Sequence, residues 1–378
     1  MGESVADETG VASGNHFQKR RHEPVKDKER ILGRLVGLDL ARFVAFVGMV
    51  IVNFSVVMGG GGDLSFSSAV LGAFEGRAAA TFVALAGIGM GLMGPGQSFV
   101  ITLKRAAFLL AIGLLNMLIF PADIIHYYAF YFLLGSLFLK AGNVQIGAAI
   151  ISLVFGFLIL LMVLDYDAGW NWETLDYSGF WTVEGFIRNL LFNGWHPVVP
   201  WLGFFLFGLL LARLPLSAAR MQGWMMAVGF LVLLGAQALS DMLVTSAPTI
   251  DGESLVPLLL TKPVPPGPLY MLAGMGAALL AVGACLRFAA LFESSLILRL
   301  LCAPGRQTLT LYFAHIFVGM GTLQALGLLA DQHNEFMSSN TVLAAALLFA
   351  VASLLYAILW DRFFRRGPLE ALMRRLTG

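Results

Sequence analysis

Asp39 and Arg42 stand three residues apart in an otherwise apolar run, GLDLARFVAFVGMVIVNF at 37–54, which carries Asn53 near its end. Charges in so long an apolar stretch are costly and mark either a structural pair or a functional one. The i,i+3 spacing places both on one helix face, where they can pair. Two readings stay open. The pair fixes helix packing or reaches back to the interface, or Arg42 faces a cavity and binds an anion such as a phosphate or a CoA pyrophosphate. Asn53 suits a hydrogen bond to a neighbouring helix.

A second pair at the same spacing, Asp123 and His126 in PADIIHYY, lets a carboxylate orient an imidazole, as in general-base catalysis and proton relays. The same pair would also stabilise a helix N-terminus. Tyr127, Tyr128 and Tyr131 beside it read as an interfacial aromatic belt. His196, in FNGWHPVVPW, lies next to a turn beside Trp195. His315, in TLTLYFAHIF, falls in mid-span and needs a partner, for which Asp241 in an earlier span is the candidate. Glu75 and Arg77 flank Gly76 in FEGR, as an interfacial pair or as the mouth of a site. There is no Walker loop, dinucleotide fingerprint, CxxC pair or HExxH motif. No metal is expected, and Cys285 and Cys302 show neither metal spacing nor a disulfide pattern.

The elements that hold these residues follow from composition. The chain is 58% hydrophobic and 12% charged, with a mean hydropathy of +0.81. A soluble domain carries about 25% charged residues, so the expected class is an all-α polytopic membrane helical bundle. Ten stretches read as spans of roughly 20 residues or somewhat fewer: 36–58, 77–94, 104–120, 122–139, 143–164, 198–213, 223–246, 269–291, 307–329 and 341–361. The sixth is short, with Trp195 and Trp201 as interfacial anchors. Residues 1–30 are polar with a basic run, the pattern of a disordered tail, which leaves 31–378 as a single integral-membrane domain.

On this numbering 20 of the 24 Lys and Arg residues fall on one side of the bilayer, which predicts that both termini are cytoplasmic. Three loops on the other side, 59–76, 165–197 and 247–268, are long enough to carry function. Within the second, 183–193 suits a short interfacial helix with Phe186, Leu190 and Leu191 on one face. The 42 glycines permit close helix contact, a homodimer included, and name no dimer face. Membrane lipids are the expected surroundings, and nothing points to nucleic acid.

Seven motifs in order carry a family resemblance: LDLAR, GMVIVNF, FEGRAAATFVALAGIG, DIIHYY, WHPVVPWLGFFLFG, GRQTLTLYFAH and RRGPLEALMRRLT. The chain resembles bacterial membrane proteins grouped with the catalytic domain of heparan-alpha-glucosaminide N-acetyltransferase, and its C-terminal part is similar to the YeiB-type family. The LDLAR…VN segment also resembles the wider acyltransferase-three group, whose LDGLR…H pattern is matched by Asp39 and Arg42, with Asn53 in place of the histidine.

The resemblance implies a multi-pass enzyme of the plasma (inner) membrane and cell envelope. It would move an acyl group, such as acetyl, from cytoplasmic acyl-CoA to a hydroxyl or amine of a small-molecule or glycan acceptor outside. The lysosomal enzyme has its catalytic histidine in the loop after the first span; loop 55–74 here contains none. The role then falls to His126, His196 or His315. In the leading reading Asp123 orients His126 as general base, Asp39 and Arg42 organise the donor, and Glu75 and Arg77 line the acceptor mouth with Asn53, His196 and Trp195. A transporter or flippase of a small or lipid-linked substrate, or a scaffold without turnover, accounts for the same polar groups without chemistry.

Overall fold

The computed structural model describes residues 35–61, 63–96, 98–246, 249–250, 253–254, 256–330, 337–364 and 366–378. The tail expected at 1–30 lies outside these residues. Each of the ten apolar stretches falls on helix. The first half comprises α1 (Val36–Met58), α2 (Phe66–Phe74), α3 (Arg77–Met93), α4 (Phe99–Met117), α5 (Ile125–Ser136) and α6 (Asn143–Val163). A short antiparallel hairpin follows, β1 (Trp170–Asn171) with β2 (Asp176–Tyr177), pairing Trp170 with Tyr177. Next come α7 (Val183–Arg188), which runs on as a π turn over Asn189–Asn193, then α8 (Val198–Leu211) and α9 (Ala219–Thr245). A second hairpin, β3 (Thr249–Ile250) with β4 (Glu253–Ser254), leads to α10 (Val256–Leu259), α11 (Pro268–Leu291) and α12 (Leu296–Leu301). The last part holds α13 (Thr308–Ala314), a π segment over His315–Met320, α14 (Gly321–Ala325), α15 (Ser339–Asp361) and α16 (Pro368–Thr377).

Among the described residues seven helices, with α2 and α3 taken together, are long and apolar enough to cross a membrane. The α7–α8 pair, bent by 51°, makes up to eight. The other two expected spans are helical but shorter or interrupted. Helix α5 has 12 residues, about 18 Å at 1.5 Å per residue, less than the roughly 30 Å of a hydrocarbon core. The ninth is broken into α13, π turn and α14.

Burial sorts the helices into centre and periphery. Within their most apolar windows α11 is 67% buried and α1 56%, against 11% for α6 and 17% for α9. Helix α1 packs on α3, α11 and α15, while α6, α9 and α15 turn large apolar side chains such as Ile151, Phe155, Phe230 and Leu348 outward. That outward apolar face is what a lipid-facing helix requires.

Bare backbone brings the central helices together. A Cβ on Gly87 would lie 2.0 Å from the Phe205 carbonyl oxygen, and one on Gly208 2.0 Å from that of Ala84, so α3 and α8 cross backbone to backbone. Gly229 and Gly276 play the same part between α9 and α11. At the Val36 end, Glu370 of α16 accepts from the Leu309 and Thr310 amides and the Thr310 hydroxyl, at 2.7, 3.2 and 2.6 Å. It caps the start of α13 and ties the C-terminal helix to it. Burial raises the Glu370 carboxyl's pKa, against the opposing pull of these donors.

The α3–α8 crossing can be tested directly. Gly208→Val is expected to lose most monodisperse protein in detergent, because the added methyls meet backbone that cannot move aside. Gly223→Ala, whose Cβ meets nothing within 4 Å, should keep or slightly raise the melting temperature. Size-exclusion profiles and thermal unfolding of the two variants check this, and equal behaviour would refute the close crossing.

Candidate active site

The sequence DIIHYY folds so that one carboxylate gathers three elements. Asp123, fully buried just before α5, accepts from Asn116 Nδ2 of α4 at 2.8 Å and from Tyr312 Oη of α13 at 3.2 Å. Its second oxygen accepts from the His126 amide and pairs with His126 Nδ1, both at 3.0 Å. The amide contact satisfies a first-turn N–H of α5, and the ring contact orients the imidazole. A carboxylate only accepts, so Nδ1 carries a proton, and in the neutral ring Nε2 keeps its lone pair. His126 Nε2 is buried and meets no hydrogen-bond partner in the protein. Gly113 of α4 makes room for this: a Cβ there would fall 2.4 Å from the His126 amide nitrogen.

Beside the knot lies a cavity of about 320 Å³, reached by Asn53, Glu75, Trp195, His196 and Tyr312. Lys262 and Trp172 stand at its exposed rim, and Trp201 and Met49 lie deep in it. Gly76 forms part of the wall at φ +68°, where a Cβ would also strike Tyr270 and Pro263; glycine is required there. Three buried polar atoms in the lining lack a protein partner: Trp195 Nε1, Trp201 Nε1 and His196 Nδ1. Unpaired buried polar atoms are rare, and three around one hollow suit a ligand that brings its own hydrogen-bonding groups.

The three histidines divide by surroundings. His315, buried at the start of a π turn, pairs through Nδ1 with the Tyr312 carbonyl. The carbonyl can only accept, so Nε2 accepts from Asn53 Nδ2 at 2.9 Å. Both ring nitrogens are thereby engaged, and the Asn53 amide oxygen is left for the cavity. His196 lines the cavity, edge-on to Trp201 at 4.6 Å between ring centroids, and its backbone carbonyl accepts from Tyr131 Oη at 2.5 Å. His126 does not border the cavity. Tyr127 lies between the two imidazoles, 3.9 Å from the His126 ring and 5.9 Å from that of His196. Phe180, from the loop after α6, closes the other side of His126 at 5.9 Å.

The remaining candidates fall at both ends. Arg42 Nη1 pairs with buried Asp39 at 2.8 Å and stays partly exposed. Along α1 it lies about 16 Å from Asn53, counting eleven residues at 1.5 Å each. Glu75 joins the cavity, whereas Arg77 turns away to the Gly72 and Ala73 carbonyls, Gln237 and Thr261. Among the described residues no group of three or more His, Cys, Asp or Glu could hold a metal ion.

Several sequence expectations are corrected. Asp241 is exposed and accepts from Gln237, so it is not the partner of His315. Tyr127, Tyr128 and Tyr131 are 5% exposed or less and form an inner wall, because α5 is too short to carry them to an interface. Trp201 is fully buried and anchors nothing at the surface. Leu191 turns outward while Phe186 and Leu190 face inward, since the π turn at Asn189 shifts the register.

Other contributors escaped sequence reading. Asn116 and Tyr312 complete the Asp123 knot, and Asn193 holds the loop through Tyr166, Ala168, Trp170 and Tyr177. Asn189 accepts from Tyr127 Oη at 2.6 Å. The only prior signal was an asparagine in an apolar run, which names no partner. Two π segments carry His315 and the Asn189–Asn193 stretch, and such segments concentrate at functional sites.

The Asn53–His315 pair is expected to behave as one unit. Asn53→Leu should cost about 1–3 kcal/mol by leaving a buried ring nitrogen unpaired. Adding His315→Leu should cost less than the two single losses combined, with a coupling of roughly 0.5–3 kcal/mol in a double-mutant cycle of thermal unfolding. Strict additivity would show that the contact carries no stability.

Comparison with known families now bears on this geometry. Residues 34–247 match the family "Heparan-alpha-glucosaminide N-acetyltransferase, catalytic". Residues 254–378 match "Protein of unknown function (DUF418)", the YeiB-type family. No curated protein matches the chain. The first match spans more than half of the 378 residues, and the chain therefore belongs to the family of the heparan-alpha-glucosaminide N-acetyltransferase catalytic domain, a group of membrane acetyltransferase-like proteins.

Proposed function

We propose that the protein transfers an acyl group, acetyl in the first instance, from cytoplasmic acyl-CoA to a hydroxyl or amine of an acceptor held in the cavity on the outer side. The observation that carries this reading is the Asp123–His126 pair, whose imidazole is oriented through Nδ1 and keeps an unpartnered Nε2, next to a cavity with unpaired polar atoms. That arrangement is the base-and-orienter part of an acyl-transfer site.

The steps follow from the residues. With the N-terminus cytoplasmic, Arg42 lies on the donor side, where its guanidinium suits a diphosphate. The acceptor lies against His196 and the tryptophans, and the Asn53 amide oxygen receives one of its hydrogens. To reach His126 its entering group passes Tyr127, which lies between the His196 and His126 rings. As the acceptor oxygen or nitrogen attacks the thioester carbonyl, its proton passes to His126 Nε2. The C–S bond then breaks, and the leaving thiolate takes that proton. Asp123 stabilises the transient imidazolium without itself being protonated.

Proteoliposomes with acetyl-CoA inside and labelled product read outside test the reading. Per folded molecule, His126→Ala is expected to lower kcat by about 10²–10⁴ and, because it takes a ring donor from buried Asp123, to lower the melting temperature as well; His196→Ala should mainly raise KM. The reverse pattern would transfer the base role to His196. Arg42→Gln should raise the KM for acetyl-CoA and leave that for the acceptor alone.

A second reading draws on the broken α7–α8 segment, bent by 51° beside the cavity, since interrupted helices line the binding sites of many transporters. Substrate counterflow in vesicles free of CoA would support transport, and its absence alongside acyl transfer would exclude it.

A further inference from the structure

The cavity continues sideways. It shares Val56, Phe120, Ala122 and Trp195 with a second hollow of about 480 Å³. This hollow runs between the last turns of α1, the chain just after α4, and the π segment that ends before Gly321. Its sides are built mainly from Val57, Ile119, Ile316, Phe317 and Met320. At the rim, Ile119 is 58% and Phe317 49% exposed. Both lie on stretches whose outer faces are apolar, so the opening is toward lipid. Its level is the Met58 end of α1, which contributes Val56 and Val57.

The roof carries a separate signal. Leu175, at φ 57°, is the one non-glycine residue with positive φ among the described residues, and its side chain lines the hollow. Glycine would take that conformation without strain. Holding leucine there costs of order 1–3 kcal/mol and persists only where the surroundings require it. The two hollows thus differ in kind. One presents Asn53, Glu75, His196 and Lys262; the other is walled by Val57, Ile119, Ile316, Phe317 and Met320, with exposed Thr174, Asp176 and Gln324 at its edge.

We propose that the acceptor is an amphiphile, with its hydroxyl- or amine-bearing head in the polar cavity and its hydrocarbon chain in the lateral hollow, loaded from the leaflet at the Met58 end. This rests on the transferase reading of the cavity for its activity and on the two hollows for its binding.

The probe is a decyl glucosaminide with a diazirine at the end of its chain, applied to the full-length protein in nanodiscs. Photolabelling is expected within 119–122 and 316–321. Gly321→Phe plugs the hollow from a position where a Cβ meets nothing within 4 Å; it should reduce that labelling by about tenfold, in line with loss of a buried alkyl segment. If Gly321→Phe expresses poorly, Ile119→Trp plugs the opposite wall. In the acetyl-CoA assay the decyl glucosaminide should show a KM about tenfold below that of glucosamine. The plug should erase this difference and leave turnover of glucosamine intact. Label spread over α6 and α9, or unchanged by the plug, overturns the proposal, as does equal KM for the two acceptors. Localised labelling with no acetylation of either compound would keep the amphiphile site and remove the transferase reading.

Discussion

The buried carboxylate of Asp123 is the constraint on which the site depends. A carboxylate with no exposed surface survives in an apolar interior only when its lone pairs are satisfied. Here four hydrogen bonds do so, from Asn116, Tyr312 and two atoms of His126. The donors come from three parts of the chain, so the carboxylate fixes α4, the start of α5 and α13 relative to one another. The orientation of His126 is a consequence of that packing. Removing any one donor leaves a buried acceptor short of a partner, which makes the knot cooperative rather than a sum of contacts.

The spans were legible because hydropathy over about 20 residues is a local property, and α1, α6, α11 and α15 lie where the apolar runs place them. The Asp39–Arg42 and Asp123–His126 pairs were legible because both are local: three residues on a helix fix the first, and a carboxylate just ahead of a helix start accepting from its first turn fixes the second. What failed was long-range. His315 finds Asn53, 262 residues away, and not Asp241, because partner choice in a bundle depends on which faces meet. Hydropathy carries no record of that. The three tyrosines of α5 were misplaced because a span was assumed where a half-length helix lies buried behind its neighbours. The π turns were invisible too, since they arise from packing and shift the facing of residues such as Leu191 without altering the sequence pattern.

The bundle also separates two electrostatic environments along α1. Asp39 lies in its first turn and Arg42 in its second, and Asn53 lies near its other end. Between them the helix is apolar, so an ionic group bound at one end has no polar stepping stone to the other. A substrate engaging both must span the gap with a neutral, flexible arm. An acyl thioester carried on a long amide-containing chain has that character, and a free anion does not. On the proposed transferase reading, a donor whose charged and reactive parts are far apart would fit this spacing.

The two family matches meet between residues 247 and 254, where one would place a domain boundary if sequence alone decided. The geometry argues otherwise. Asp123 and Asn53 belong to the first region, while Tyr312 and His315 belong to the second, and each completes the hydrogen bonding of the other. Lys262, Pro263 and Val264 of the second region close the cavity opened by Glu75 and Gly76 of the first. A truncation at the boundary would strand a buried carboxylate and a buried imidazole together and open the cavity wall. Neither region holds the whole set of cavity and knot residues, so in this chain the two matched regions form one structural unit.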